Sequence, residues 1–261
     1  MTIVKHELRQ GKVSFFIWTI AIGFLMAVCI FLFPEMKEQM EGVSALFASM
    51  GAFTAAFGMD KLNFGTLMGY YSIECGNVLG LGGAFYAALC AVTILSKEEK
   101  DRTAEFLLAH PVSRVRIITE KLAAVLIQIT VTNLIIYILC AGMILVIGED
   151  VPWIELNMLH LAYYILQMEL AGICFGLSAF TRKGSVSAGL GIAAIMYFLN
   201  LIANIAKEAE FLKYITPFGY CDGAYIAANG SLDWTMAAVG ITIGILCIIA
   251  AYIKYAKKDI Q

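Results

Sequence analysis

Residues able to do chemistry are few in this chain, and they are unevenly placed. Six of its 18 basic residues, Lys97, Lys100, Arg102, Arg114, Arg116 and Lys121, fall within one stretch, Ser96 to Leu122, SKEEKDRTAEFLLAHPVSRVRIITEKL. This is a charge-dense island between two long apolar segments. The three histidines, His6, His110 and His160, are widely separated and fall on different predicted loops, so neither a metal site nor a nucleophile-base pair is supported and no catalytic residue is assigned. No P-loop is present; if ATP drives this protein, another polypeptide binds it. Of the seven cysteines, Cys29, Cys90, Cys140, Cys174 and Cys247 lie inside apolar runs and read as small hydrophobes. Cys75 and Cys221 fall toward one predicted side, where a disulfide and two free thiols are both open.

Glu169 is the one acidic residue well inside an apolar run. A charge at the middle of a bilayer costs about 2.5–3.5 kcal/mol on insertion scales, so it must be paired, protonated or wetted. It shares a helical stripe with Gly172 and Gly176, which points it toward a protein contact; structural hydrogen bonding and a place in a transport path both remain open. Other polar residues in apolar runs are Asn77, Gln128, Thr132, Asn133, Asn200 and Asn204, read either as fasteners between helices or as the lining of a translocation path. Gly172 and Gly176, like Gly240 and Gly244, are four residues apart, a spacing that lets helices approach closely, within the chain or across a dimer.

The elements that hold these residues follow from composition. With 61% hydrophobic and 15% charged residues in 261 and a mean hydropathy of +0.81, the chain is too apolar for a water-soluble domain. It is an integral membrane protein that needs the lipid bilayer, and the net charge of −2 gives no reason to expect nucleic acid. Crossing a bilayer takes roughly 20 apolar residues in a helix. Six segments qualify, at about 14–33, 72–95, 121–147, 157–180, 185–206 and 233–256, so the fold class is an all-α polytopic membrane protein with six spans. The first is too long for a cleaved signal and is expected to stay in the mature protein. Residues 1–13 read as an interfacial helix that turns at Gly11. The stretch 34–71 is punctuated by glycines and reads as one or two short helices on the outer surface.

Orientation follows from Lys and Arg. With both termini cytoplasmic, fourteen of the 18 basic residues lie inside and only Lys37, Lys61, Lys207 and Lys213 outside. The charged island is then cytoplasmic, in a coupling segment over 97–118. From Glu98 to Ala109 nothing breaks a helix, and Ala104, Leu107 and Leu108 share a face, so an amphipathic helix is expected there. Pro111 ends it and Ser113 caps the next helix.

The run EEKDRTAEFLLAHPVSRVRIITEKL resembles the cytoplasmic coupling segment of the type 2 ABC export permeases. An acidic start, a leucine pair, a Pro-Val-Ser-Arg turn and a later lysine follow in that order. The resemblance implies a permease domain over 1–261, without a nucleotide site of its own, in the plasma membrane. Its partners would be cytosolic ABC ATPase subunits holding ATP and magnesium and a second permease chain, identical or not. It also implies that Phe106, Leu107 and Leu108 anchor the segment in the ATPase, with Glu98, Glu99, Arg102, Glu105 and Arg114 as a charged rim and a turn from His110 through Pro111 to Arg114. Two other readings compete: an ion-gradient-driven secondary transporter using Glu169 as proton carrier, and a non-transporting scaffold or immunity protein.

Overall fold

The structure, a computed structural model, describes residues 2–39, 50–59, 62–103, 112–181 and 184–257, apart from the side chains of Phe53 and Cys75. The described residues form helices and turns with no strand. In chain order the helices are α1 (Thr2–Glu38), α2 (Ala52–Ala56), α3 (Leu67–Ala91), α4 (Lys97–Lys100), α5 (Arg114–Val146), α6 (Trp153–Phe180), α7 (Val186–Ile205), α8 (Gly223–Asn229) and α9 (Trp234–Ala256), with 3-10 turns at Lys207–Tyr214 and Gly219–Cys221. Six of them, α1, α3, α5, α6, α7 and α9, are long and apolar enough to cross a membrane. Helices suit that setting because they satisfy their backbone groups internally. Their large apolar side chains point both ways: Met26, Ile30 and Phe33 of α1 are fully buried, while Phe16, Ile20, Phe24 and Phe31 of the same helix are exposed, as a lipid-facing surface requires.

Local chemistry sets the helix ends. The Thr66 hydroxyl accepts from the Gly69 amide at the start of α3, and Ser113 accepts from the Arg116 amide at the start of α5. Asp233 accepts from Thr235 and Met236 at the start of α9. Within the bundle α6 pairs with α9 and α1 with α5, while α3 lies among α1, α6 and α7. Missing side chains make the close approaches possible. A Cβ on Gly76 or Gly80 of α3 would run into the Tyr163 ring of α6, and one on Gly83 into Gln167. Gly172 of α6 lies directly on the backbone of Gly244 in α9, and Gly176 on that of Cys247.

Three sequence expectations need correction. The chain does not turn at Gly11: α1 is continuous, and the glycine instead makes room for Gln128, whose Oε1 would lie 2.5 Å from a Cβ. The helix expected over 98–109 does not begin as one uninterrupted run. It closes after Lys100, with Arg102 in the left-handed region at φ 57°, the Thr103 amide donating to the Glu98 carbonyl (2.8 Å) and the Arg102 amide to that of Glu99 (3.3 Å). This is the usual helix-ending motif, built here without its usual glycine, which is why no breaker was visible in the sequence. His160 lies in α6, not on a loop, and is buried. Ala104 to Pro111, with the anchor residues Phe106, Leu107 and Leu108, lie outside the described residues. Cys221 carries a free thiol.

The contact between α6 and α9 has no slack. A Cβ on Gly172 would sit 2.8 Å from the Gly244 carbonyl oxygen and 3.0 Å from its Cα, backbone atoms that cannot swing aside. Gly172→Val is expected to cost about 1–3 kcal/mol, seen as a lower thermal midpoint of the purified protein. Gly142→Ala, where a Cβ meets nothing within 4 Å inside α5, should not lower the midpoint and should raise it slightly.

Candidate functional site

Lys121, just over two turns into α5, organises the base of the charged segment. Its side chain is fully buried (0% exposed). An ammonium has three N–H donors and no acceptor, and removing it from water is tolerable only if each finds a partner. All three do. Nζ donates to Glu7 Oε1 of α1 at 3.0 Å, to the Ile94 carbonyl at 2.6 Å and to Glu98 Oε1 of α4. Glu7 Oε2 in turn accepts from Lys97, which also donates to Gln10 Oε1 at 2.6 Å. The result is a row of alternating charge, Glu98, Lys121, Glu7, Lys97, binding α1, α4 and α5 together. Glu7 lies ahead of the apolar run of α1. Burial pushes its carboxyl up, but Lys121 and Lys97 outweigh that and hold it below the ordinary carboxylate value.

The neighbouring contacts extend this joint. Glu120 Oε2 accepts from the backbone amides of Ile3 (3.0 Å) and Val4 (3.3 Å), placing a carboxylate at the amide-rich start of α1, while its Oε1 accepts from Arg116 Nε at 2.9 Å. The Leu95 amide donates to the buried Ser178 hydroxyl of α6 at 2.8 Å. Arg114 donates to the Ala256 carbonyl at 3.2 Å and to that of Tyr255 at 3.5 Å, a cation at the carbonyl end of α9. Among the described residues, the stretch after α3 is tied to α1, α5 and α6 by polar contacts as well as by the packing of Ile94 and Leu95 in the core, and the start of α5 is tied to α9 through Arg114.

Among the residues singled out from the sequence, Glu98 and Arg114 are engaged inside the chain, and Arg102 occupies the turn that ends α4. Glu99 lies in α4, whereas Glu105, His110 and Pro111 lie outside the described residues. The sequence reading missed Glu7, Lys97, Glu120 and Lys121 as partners. A signal existed: an acid in an otherwise basic start and a Glu-Lys pair opening an apolar run are charges that cannot face lipid and must meet something.

Deeper polar residues form separate pairs. The Thr132 and Thr19 hydroxyls lie 3.0 Å apart, Asn133 donates to Gln167 at 2.7 Å, and Gln128 donates to the Ala124 carbonyl of its own helix. Asn77 accepts from the Tyr197 hydroxyl at 3.2 Å, and Asn204 donates to the Ala56 carbonyl at 3.0 Å. Asn200 lines a cavity with Asn77 and Asn204. Glu169, 4% exposed, accepts from the Tyr220 hydroxyl at 2.8 Å and lies against Gly240 and Gly244. A buried pair that the sequence did not suggest is Tyr71 with His160 Nε2, 2.6 Å apart.

The chain also matches a known family over essentially its whole length. The family model for ABC-2 family transporter proteins matches residues 1–260, and the chain belongs to that family. It is a membrane-embedded permease of an ABC transporter, and the family implies an ABC ATPase as partner. No curated protein matches the chain.

Removing one partner of a buried ion cluster leaves the others uncompensated. Lys121→Met is expected to cost about 3–5 kcal/mol of stability, while the combination Lys121→Met, Glu7→Gln, Glu98→Gln should recover most of that loss. Thermal unfolding of the purified proteins measures both. Because the Glu7 carboxyl is held below its ordinary 4.5, its contribution is complete above that pH and is lost as the pH falls through the lowered value. The acid-side drop in thermal midpoint should be smaller in Glu7→Gln than in the unaltered protein.

Proposed function

We propose that this chain is the permease subunit of an ATP-driven exporter in the plasma membrane, with both termini cytoplasmic. ATP and magnesium would be held by separate cytosolic ATPase subunits, and a second permease chain, identical or not, would complete the transmembrane unit. The observation that carries this reading is the bracing of the Ser96–Leu122 segment in a chain that belongs to the family from end to end. A segment that only rested on the headgroups would not need a buried ammonium with three partners.

In this mechanism the ATPase grips Phe106, Leu107 and Leu108, with Glu99, Arg102 and Glu105 as the charged rim. Closure of the ATPase on ATP pushes the segment as a lever. Glu98 and Arg114 act on the inner side of it: Glu98 passes the displacement to Lys121 and so to α1 and α5, and Arg114 passes it to the end of α9. The Leu95–Ser178 bond gives α6 a share. One push thus tilts four helices together, which polar bonds of defined direction can transmit and a sliding apolar contact cannot.

Charged residues at an apolar anchor would break the grip without touching the membrane part. Leu107→Asp with Leu108→Asp should insert and fold normally but leave ATP hydrolysis uncoupled from substrate movement in reconstituted vesicles. Transport at the unaltered rate by that variant would refute the lever.

A further inference from the structure

At the end of the bundle opposite the Lys121 cluster, α3, α7 and the turns around Phe57, Lys213 and Asp222 enclose a cavity of about 70 Å³. Two properties set it apart from a packing gap. It is lined by amides and hydroxyls: Asn77 and Ser72 of α3 face Asn200 and Asn204, one turn apart on α7. And the hydrogen-bonding capacity of these groups is only partly used. The Asn77 oxygen is taken by Tyr197, which leaves its NH₂ donors, and the Asn204 NH₂ is taken by Ala56, which leaves its oxygen. The Ser72 hydroxyl is buried with no hydrogen-bond partner among the described residues, although its residue is only 6% exposed. A buried hydroxyl without a partner is unfavourable, and rotation of the Ser72 side chain toward the cavity it lines would pair it with a polar ligand.

Charge and size narrow the ligand. Lys213 pairs with Glu210 at 3.7 Å and Asp222 accepts from the Ala224 and Tyr225 amides at the start of α8, so both charges on the cavity wall already have partners and neither an anion nor a cation is favoured. Carboxamides and a hydroxyl, offering donors and acceptors side by side, match a group that also carries both, as adjacent hydroxyls do. The room is several times the roughly 10–15 Å³ that one water needs on the same measure, which admits a short diol end. Apolar walls from Ile73, Leu81, Leu201 and Phe218 continue the lining. Phe211, Tyr214 and Ile215 stand exposed on and beside the 3-10 turn that carries Lys213, where an acyl chain can lie.

We propose that this cavity binds an uncharged vicinal diol, the glyceryl end of a neutral lipid or a free polyol, between Asn77 and Ser72 on one side and Asn200 and Asn204 on the other. The site lies within one chain, and its occupancy requires neither the ATPase nor ATP, so it stands or falls separately from the lever.

The test titrates the purified full chain with monodecanoylglycerol, decylphosphocholine and glycerol, reading bound ligand by native mass spectrometry. The glyceride should bind at least about tenfold more tightly than the phosphocholine of equal chain length, and Asn77→Leu with Asn200→Leu should remove that preference. Competition by free glycerol would support the diol alone as ligand, and its absence would support the lipid end; both agree with the site. Equal binding of the two amphiphiles by the unaltered protein would overturn the proposal, and that comparison does not depend on a variant folding. An undiminished preference in the double variant would overturn it as well.

Discussion

A single buried ammonium sets the terms for one end of this protein. The three donors of buried Lys121 need three acceptors, and those acceptors come from three different places: the start of α1, the last turn after α3, and α4. Satisfying one lysine therefore fixes the relative position of segments far apart in the chain. In an apolar bundle, where hydrophobic contact has little direction of its own, such bonds decide which helices move together. They also explain why α1 runs through Gly11 without turning. Its first turns reach both Glu120 and Lys121.

The rest of the bundle is held by a different means. Between α6 and α9 the approach is set by glycines, and α6 makes paired polar contacts with other elements, Glu169 with Tyr220 of the 3-10 turn and Gln167 with Asn133 of α5. Those contacts are short in reach and each joins only two elements. The contrast gives the molecule a multiply tied end around the charged segment and a tightly packed interior. In the proposed mechanism, force applied at the first passes through the second as movement of whole helices.

Much of this architecture could be read from composition and spacing. Long apolar runs gave six helices because nothing else satisfies backbone groups in hydrocarbon, and the glycines four residues apart marked the close face of α6 and α9. The charged segment stood out because it interrupts those runs. What could not be read is who meets whom. Glu7, Lys97 and Lys121 are joined across separations of 90 and 114 residues, and no local pattern encodes such pairings. The stop after Lys100 was hidden for another reason: Arg102 takes a left-handed conformation that glycine usually supplies. Arg114 offered a positive charge for a rim, and its Nη1 donation to the end of α9 is a contact that no local pattern announced. The charged segment was visible as an interruption of the apolar runs; which residues it meets was set by pairing across the fold.

The central claim is that the Lys121 cluster makes the start of α1 and the charged segment a single moving part. Spin labels at Lys12 and Lys100, exposed positions on α1 and α4, allow their separation to be measured by pulsed electron paramagnetic resonance in the transporter reconstituted with its ATPase. The account predicts the same distance distribution without nucleotide and with ATP trapped, together with a changed distance from Lys100 to a label on the ATPase-distal end of α9. A Lys12–Lys100 separation that shifts or broadens between the two states would contradict it.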